Sequence, residues 1–91
     1  MTMIKWTNRA SKQIRSVDSR YLERIIEKIE ALQQFPNVQA DILELKGEQN
    51  KDKFRMRVGF YRVIFEVVNN EPIIIEIQEI KKRDDQTYRN H

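Results

Sequence analysis

The chain has 91 residues, of which 40% are hydrophobic and 34% charged, with 17 Lys and Arg against 14 Asp and Glu and a formal charge of +3. That length corresponds to a single domain over residues 1–91, and the lack of cysteine excludes a disulfide framework and a thiolate metal site. The longest apolar runs, residues 72–75 and 63–65, fall far short of the ~20 residues of a membrane span; residues 1–6 hold no apolar signal core, so a cytoplasmic protein with no membrane partner is expected.

Ile4 and Trp6 alternate with Lys5, which predicts a short opening strand over residues 3–7. Thr7 or Asn8 then caps a helix in which Ala10, Ile14 and Val17 recur at spacings of four and three. Asp18 and Ser19 are again good caps, because their side-chain oxygens accept hydrogen bonds from the unpaired amides of the following turn. The longer helix that they open carries Leu22, Ile25, Ile26, Ile29, Leu32 and Phe35 on one face. Glu23, Arg24, Glu27, Lys28 and Glu30 occupy the other face, and Pro36 ends the pattern.

From here the period changes from that of a helix to two. Leu43 and Leu45 mark a strand over residues 42–46, and Gly47 opens a polar loop through Lys53. Phe54, Met56 and Val58 then alternate with Arg55 and Arg57, and Gly59 supplies a tight turn or bulge. Tyr61, Val63, Phe65 and Val67 fall on one side of the next strand; Arg62, Ile64, Glu66 and Val68 fall on the other. Asn69-Asn70 suits a hairpin turn into a last strand over residues 72–79, with Ile73, Ile75 and Ile77 at period two. The order β-α-α-β-β-β-β predicts an α+β fold, two N-terminal helices packed on one face of a small, mainly antiparallel sheet. Leu22, Ile25, Ile29, Met56, Val63, Phe65 and Ile75 are its expected core.

Two helices cover only one face, so the alternation sends Arg55, Arg57 and Arg62 to the open one. Each guanidinium offers a planar pair of donors, and three on one surface suit a phosphodiester. The alternative is structural: these arginines pair across the sheet with Glu66 or Glu76, each pair contributing only ~0.2–1 kcal/mol. Lys46, Lys51 and Lys53 add to the local positive charge, against Glu48 and Asp52 alone. Beyond the last predicted strand, Lys81, Lys82, Arg83 and Tyr88 are placed to fold back beside the open face. The one histidine is His91, which removes a paired-histidine acid–base mechanism, and no His, Cys or carboxylate cluster has metal-ligand spacing. Gly47 and Gly59 are the only glycines, so there is no phosphate-binding loop, and no metal or cofactor is expected.

The run Leu45-Lys46-Gly47, then a variable loop and Phe54-Arg55-Met56-Arg57-Val58-Gly59-Phe60-Tyr61-Arg62-Val63-Ile64-Phe65, resembles the RelE/ParE toxin superfamily over almost the whole chain. The resemblance implies a ribosome-dependent endoribonuclease that cleaves messenger RNA in the decoding site. In that mechanism the ribose 2′-hydroxyl attacks the adjacent phosphate and cations stabilise the added charge without a metal. Arg62, fixed by the Tyr-Arg pair, matches the phosphate-stabilising arginine. Arg83 matches the arginine that assists the leaving group and Tyr88 the tyrosine near the C-terminus, with one residue fewer between them. Arg57 joins them as a catalytic candidate, while Arg55, Lys53, Lys51, Lys46 and Lys82 are the expected RNA-binding residues.

Arg55 and Arg57 stand where RelE-type members carry lysines. Arginine stays charged to pH ~12 and is a poor general base, so these two clamp phosphate, and Lys51 and Lys53 are left as candidates for the base. The resemblance further implies a cognate antitoxin, with operator DNA bound only through it, and the ribosome and its messenger RNA as partners. Two other functions occur on this fold: inhibition of DNA gyrase without RNA cleavage, as in ParE-like toxins, and non-catalytic binding.

Overall fold

The computed structural model describes residues 2–69 and 71–82. Strand β1 (Thr2–Trp6) ends one residue earlier than predicted, because Thr7 leaves it to cap helix α1 (Asn8–Gln13). The Thr7 hydroxyl accepts the Ala10 amide at 3.1 Å and donates to the carbonyls of Ile77 and Gln78 at 3.1 and 3.2 Å. One side chain thus starts the helix and ties it to a strand about 70 residues away. The helix is shorter than its apolar stripe: Ile14–Ser16 tighten into a 3₁₀ turn, which brings Val17 into the core.

Asp18 caps helix α2 (Ser19–Ala31), accepting the Arg20 amide at 2.9 Å. The Arg20 side chain returns to the same carboxylate at 2.9 Å. These hydrogen bonds hold the Asp18 carboxyl at about 2, below its ordinary 3.8, the side-chain bond from Arg20 being the larger cause and its backbone bond the next. Ile25, Ile29 and Leu32 are buried as their spacing demands, whereas Leu22 packs at the margin of the core.

The sheet follows as β2 (Asp41–Glu44), β3 (Lys53–Val58), β4 (Tyr61–Val68) and β5 (Ile73–Lys82). Its spatial order is β1-β5-β4-β3-β2; β1 runs parallel to β5 and all other pairs are antiparallel. The α+β architecture read from the sequence is therefore observed. Met56, Val58, Tyr61, Val63, Phe65, Ile75, Ile77 and Ile80 point to the helices and are buried, and among the described residues no polar or charged side chain is buried. Phe65 anchors this layer, stacked on Phe54 with ring centroids 5.4 Å apart and met edge-on by Phe35 at 5.6 Å.

Two strand expectations are corrected. The strand predicted over residues 42–46 is Asp41–Glu44, which leaves Leu45 outside it; Leu43 is 55% exposed, and Ile42, opposite the buried Met56, packs on the core. An edge strand of four residues buries little, so its apolar residues do not report its inner side. The last strand runs on to Lys82, not Glu79, which puts Lys81 and Lys82 inside the sheet. It also carries a bulge: Ile64 faces Glu79 while Phe65 faces Ile77, leaving Gln78 as the extra residue. The inward set accordingly steps from Ile75 and Ile77 to Ile80. Of the predicted Asn69-Asn70 turn, Asn70 lies outside the described residues.

Gly59 and Phe60 form the two-residue link from β3 to β4. Gly59 has φ +59°, and a Cβ there would lie 3.1 Å from Tyr21 Cε1, so both dihedral and space call for glycine. Tyr21 also meets the rings of Phe60 and Tyr61, and the Asp18 amide donates to the Tyr61 hydroxyl at 3.0 Å. This contact fixes the tip of the hairpin to the start of α2.

Candidate nucleic-acid interface

Strand register arranges the open face in rows. Asp41 faces Arg57, Arg57 faces Arg62, and Arg62 faces Lys81, giving one line of a carboxylate and three cations across β2, β3, β4 and β5. The next row is Leu43, Arg55, Ile64 and Glu79. The third is Lys53, Glu66, Glu76 and Lys5. Positive charge is thus concentrated in the first row, since the other two balance.

Like charges directly opposite on adjacent strands destabilise a sheet, yet Arg57, Arg62 and Lys81 sit side by side. Asp41 offsets part of this at one end, with Oδ2 3.6 Å from Arg57 Nε and Oδ1 3.9 Å from Arg55 Nη2. Glu79 does so at the other, 3.2 Å from Lys81 Nζ and 3.7 Å from Arg9 Nη1. Arg62, between them, has no ion pair among the described residues. Arg55 Nε is buried and lacks a hydrogen-bond partner among the described residues. A buried donor without a partner costs about 1–3 kcal/mol, and an anion laid across the row would supply acceptors where the protein supplies few.

The structural alternative, arginines paired with Glu66 or Glu76, does not hold. Those carboxylates face each other, and each accepts from the bulged Gln78 side chain at 3.0 Å. Arg55 and Arg57 turn to Asp41 instead. The sequence-predicted residues divide accordingly. Arg55, Arg57 and Arg62 come together as expected. Lys53 shares their face but lies one row from Arg55 and two from Arg57 and Arg62, opposite Glu66. Lys46 and Lys51 lie in the loop between β2 and β3. Lys82 is opposite Tyr61, whose ring is buried on the helix side. There it helps line a cavity of about 260 Å³ with Asp18, Arg20, Tyr21 and Phe60, so it is separated from the arginine row. Arg83 and Tyr88 lie outside the described residues.

Asp41 and Glu79 were missed from sequence. Asp41 precedes the apolar pattern of its strand, and only pairing with a strand beginning 12 residues later brings it to Arg57. Among the described residues no group of three His, Cys, Asp or Glu side chains could hold a metal ion. No described helix is long and apolar enough to cross a membrane.

The chain is similar in structure to the archaeal RelE–RelB complex from Pyrococcus horikoshii OT3, with 28% identity, 90% of this chain and 94% of that one covered, and a TM-score of 0.71. The RelB–RelE antitoxin–toxin complex from Methanococcus jannaschii matches at 26% identity, 96% and 99% coverage and a TM-score of 0.71. The isolated E. coli RelE toxin shares the fold, with 20% identity, 96% and 90% coverage and a TM-score of 0.75. No curated protein sequence matches the chain. The model of a family described as the ParE toxin of type II toxin–antitoxin systems, parDE, matches residues 4–87. With nearly all of the chain matched and its sheet and helices arranged as in RelE, the protein belongs to the RelE/ParE toxin superfamily.

Proposed function

We propose that this toxin is a ribosome-dependent endoribonuclease that cleaves messenger RNA in the decoding site and so inhibits translation. The observation that carries the proposal is the row Arg57, Arg62 and Lys81, three cations held side by side on the sheet face that no described helix covers. A phosphodiester gains negative charge as it becomes pentacoordinate, and preorganised donors aimed at that charge are the largest catalytic contribution a site without a paired acid and base can make. Arg62 lies at the centre of the row and stabilises the phosphate; Arg57 and Arg55 clamp it from β3. Lys53, Lys51 and Lys46 extend contact along the substrate backbone. Arg83 assists the departing oxygen and Tyr88 orients the ribose or stacks on a base.

The natural partner is a cognate antitoxin. The similar structures from P. horikoshii and M. jannaschii are complexes of RelE with RelB, and a small protein of that kind would cover the cationic face until needed. Contact with operator DNA would then run through the antitoxin, and the toxin would act in the cytoplasm.

Primer extension on a reporter message with programmed ribosomes tests the reading. Wild-type protein should cut within the decoding-site codon only when ribosomes are present. Arg62→Ala should lower the rate by about 10²–10³-fold, the effect of removing one transition-state donor. Intact message with the wild type would overturn the nuclease and move the function to inhibition of DNA gyrase, as in ParE-like members; loss of supercoiling activity would then be the measurement.

A further inference from the structure

We infer that Asp41 is the general base of this site, taking the proton from the attacking ribose 2′-hydroxyl. The inference rests on the endoribonuclease reading and names the group which that reading lacks. Lys53 is too far along its strand: four residues separate it from Arg57, about 13 Å at ~3.3 Å per residue, and Glu66 faces it. Lys51 lies outside the strand rows, at the end of the 3₁₀ turn Glu48–Asn50. Arg55, Arg57 and Arg62 hold their protons too tightly to accept another.

Two carboxylates border the cationic row, and their surroundings differ. Glu79 is 22% exposed and is engaged by both Lys81 and Arg9. Asp41 is 56% exposed, stands in the row itself, and is aimed by Arg57 at 3.6 Å and Arg55 at 3.9 Å. Those separations exceed a short charge-assisted hydrogen bond, so its oxygens retain lone pairs for a substrate hydroxyl. Neighbouring strands lie ~4.8 Å apart. A phosphate bridging Arg57 and Arg62 with its 3′-linked ribose directed toward the adjoining strand, β2, would bring the 2′-hydroxyl within reach of Asp41.

The step balances within the substrate. The 2′-hydroxyl proton passes to an Asp41 carboxylate oxygen while the 2′-oxygen forms a bond to phosphorus. The bond from phosphorus to the 5′-oxygen breaks; that oxygen leaves with the electron pair and takes a proton from water. The products are a 2′,3′-cyclic phosphate and a 5′-hydroxyl end, with the arginines bearing the charge between.

Single-turnover cleavage on programmed ribosomes, with sedimentation to measure ribosome binding, tests Asp41→Asn and Asp41→Glu beside the wild type. Asp41→Asn should cleave at least 10²-fold more slowly, the usual minimum for a lost general base, and should bind as tightly as the wild type or more tightly, because a negative charge has been removed from a cationic site. Asp41→Glu should restore much of the rate. Asp41→Ser, checked with Asp41→Asn for a wild-type melting curve, should repeat the loss. If Asp41 only neutralises its arginines, Asn would cleave as fast as the wild type or faster, and the inference falls. It also falls if Asn loses binding in proportion to cleavage. Failure of the wild type to cleave at all removes the nuclease reading, whereas wild-type cleavage with an active Asn variant removes Asp41 alone.

Discussion

The two faces of the sheet are built from the same five strands and obey opposite rules. On the helix side, every buried residue among those described is apolar, and a side chain such as Phe65 is held by rings on two sides. On the other side, like charges are placed opposite each other, an arrangement that burial and pairing alone would disfavour. β3 shows both at once: Met56 and Val58 are buried, while Arg55 and Arg57, which alternate with them, belong to the cationic site. Because side chains alternate along a strand, stability and ligand recognition are written on alternate residues and can change independently.

Substitutions test that separation. Ile29→Ala, from the helix facing the inner layer, should lose about 2–5 kcal/mol in urea unfolding, the range for a large-to-small change that leaves a cavity. Arg62→Ala, one residue from the buried Tyr61 and Val63, should stay within about 0.5 kcal/mol of the wild type in the same experiment. A large loss there would mean that the open face is structural. Gly59→Ala should fall between them, at about 1 kcal/mol or more. It places a Cβ at positive φ and against Tyr21, and chemical denaturation would show a smaller loss if the turn can shift to relieve the contact.

The smallest effect is expected at Asp18. Its carboxyl is held at about 2 in the folded chain, against an ordinary 3.8, so the folded state binds this proton less readily than the unfolded state does. The stabilisation is fully present above about pH 3.8 and is lost as the pH falls toward about 2. Melting curves between pH 2 and 6 should show a slightly steeper acid decline for the wild type than for Asp18→Asn. Equal declines would mean that the cap contributes nothing through its charge.

How far the sequence could be read follows from how local each signal is. Helix α2 was legible because Ile25, Ile29 and Leu32 are buried by neighbours on one contiguous face. β3 and β4 were legible because Met56 and Val58 alternate in one strand and Tyr61, Val63 and Phe65 in the next, and the two-residue link at Gly59 sets Val58 opposite Tyr61, which kept the arginines in phase. β2 failed because one short edge strand presents Ile42 inward and Leu43 outward, and hydrophobicity does not separate them. The limit of β5 failed because the bulge resets its alternation, and the step from Ile77 to Ile80 looks like the end of a pattern. At the site, the three arginines were placed by alternation alone. Asp41 depended on cross-strand register, which couples residues 16 positions apart and leaves no local mark.

Gln78 sets one limit of the cationic site. Its amide lies between Glu66 and Glu76 at 3.0 Å from each, and these carboxylates are balanced by Lys53 and Lys5 at the ends of the same row. Net positive charge is therefore confined to the end of the face marked by Arg57, Arg62 and Lys81. Moving two rows along the strands, about 13 Å at ~3.3 Å per residue, a polyanion passes from attraction to near indifference. The surface works as a short landing strip with a marked end, gripping one backbone linkage firmly and leaving the rest of a long strand to weaker contacts such as Lys46, Lys51 and Lys53.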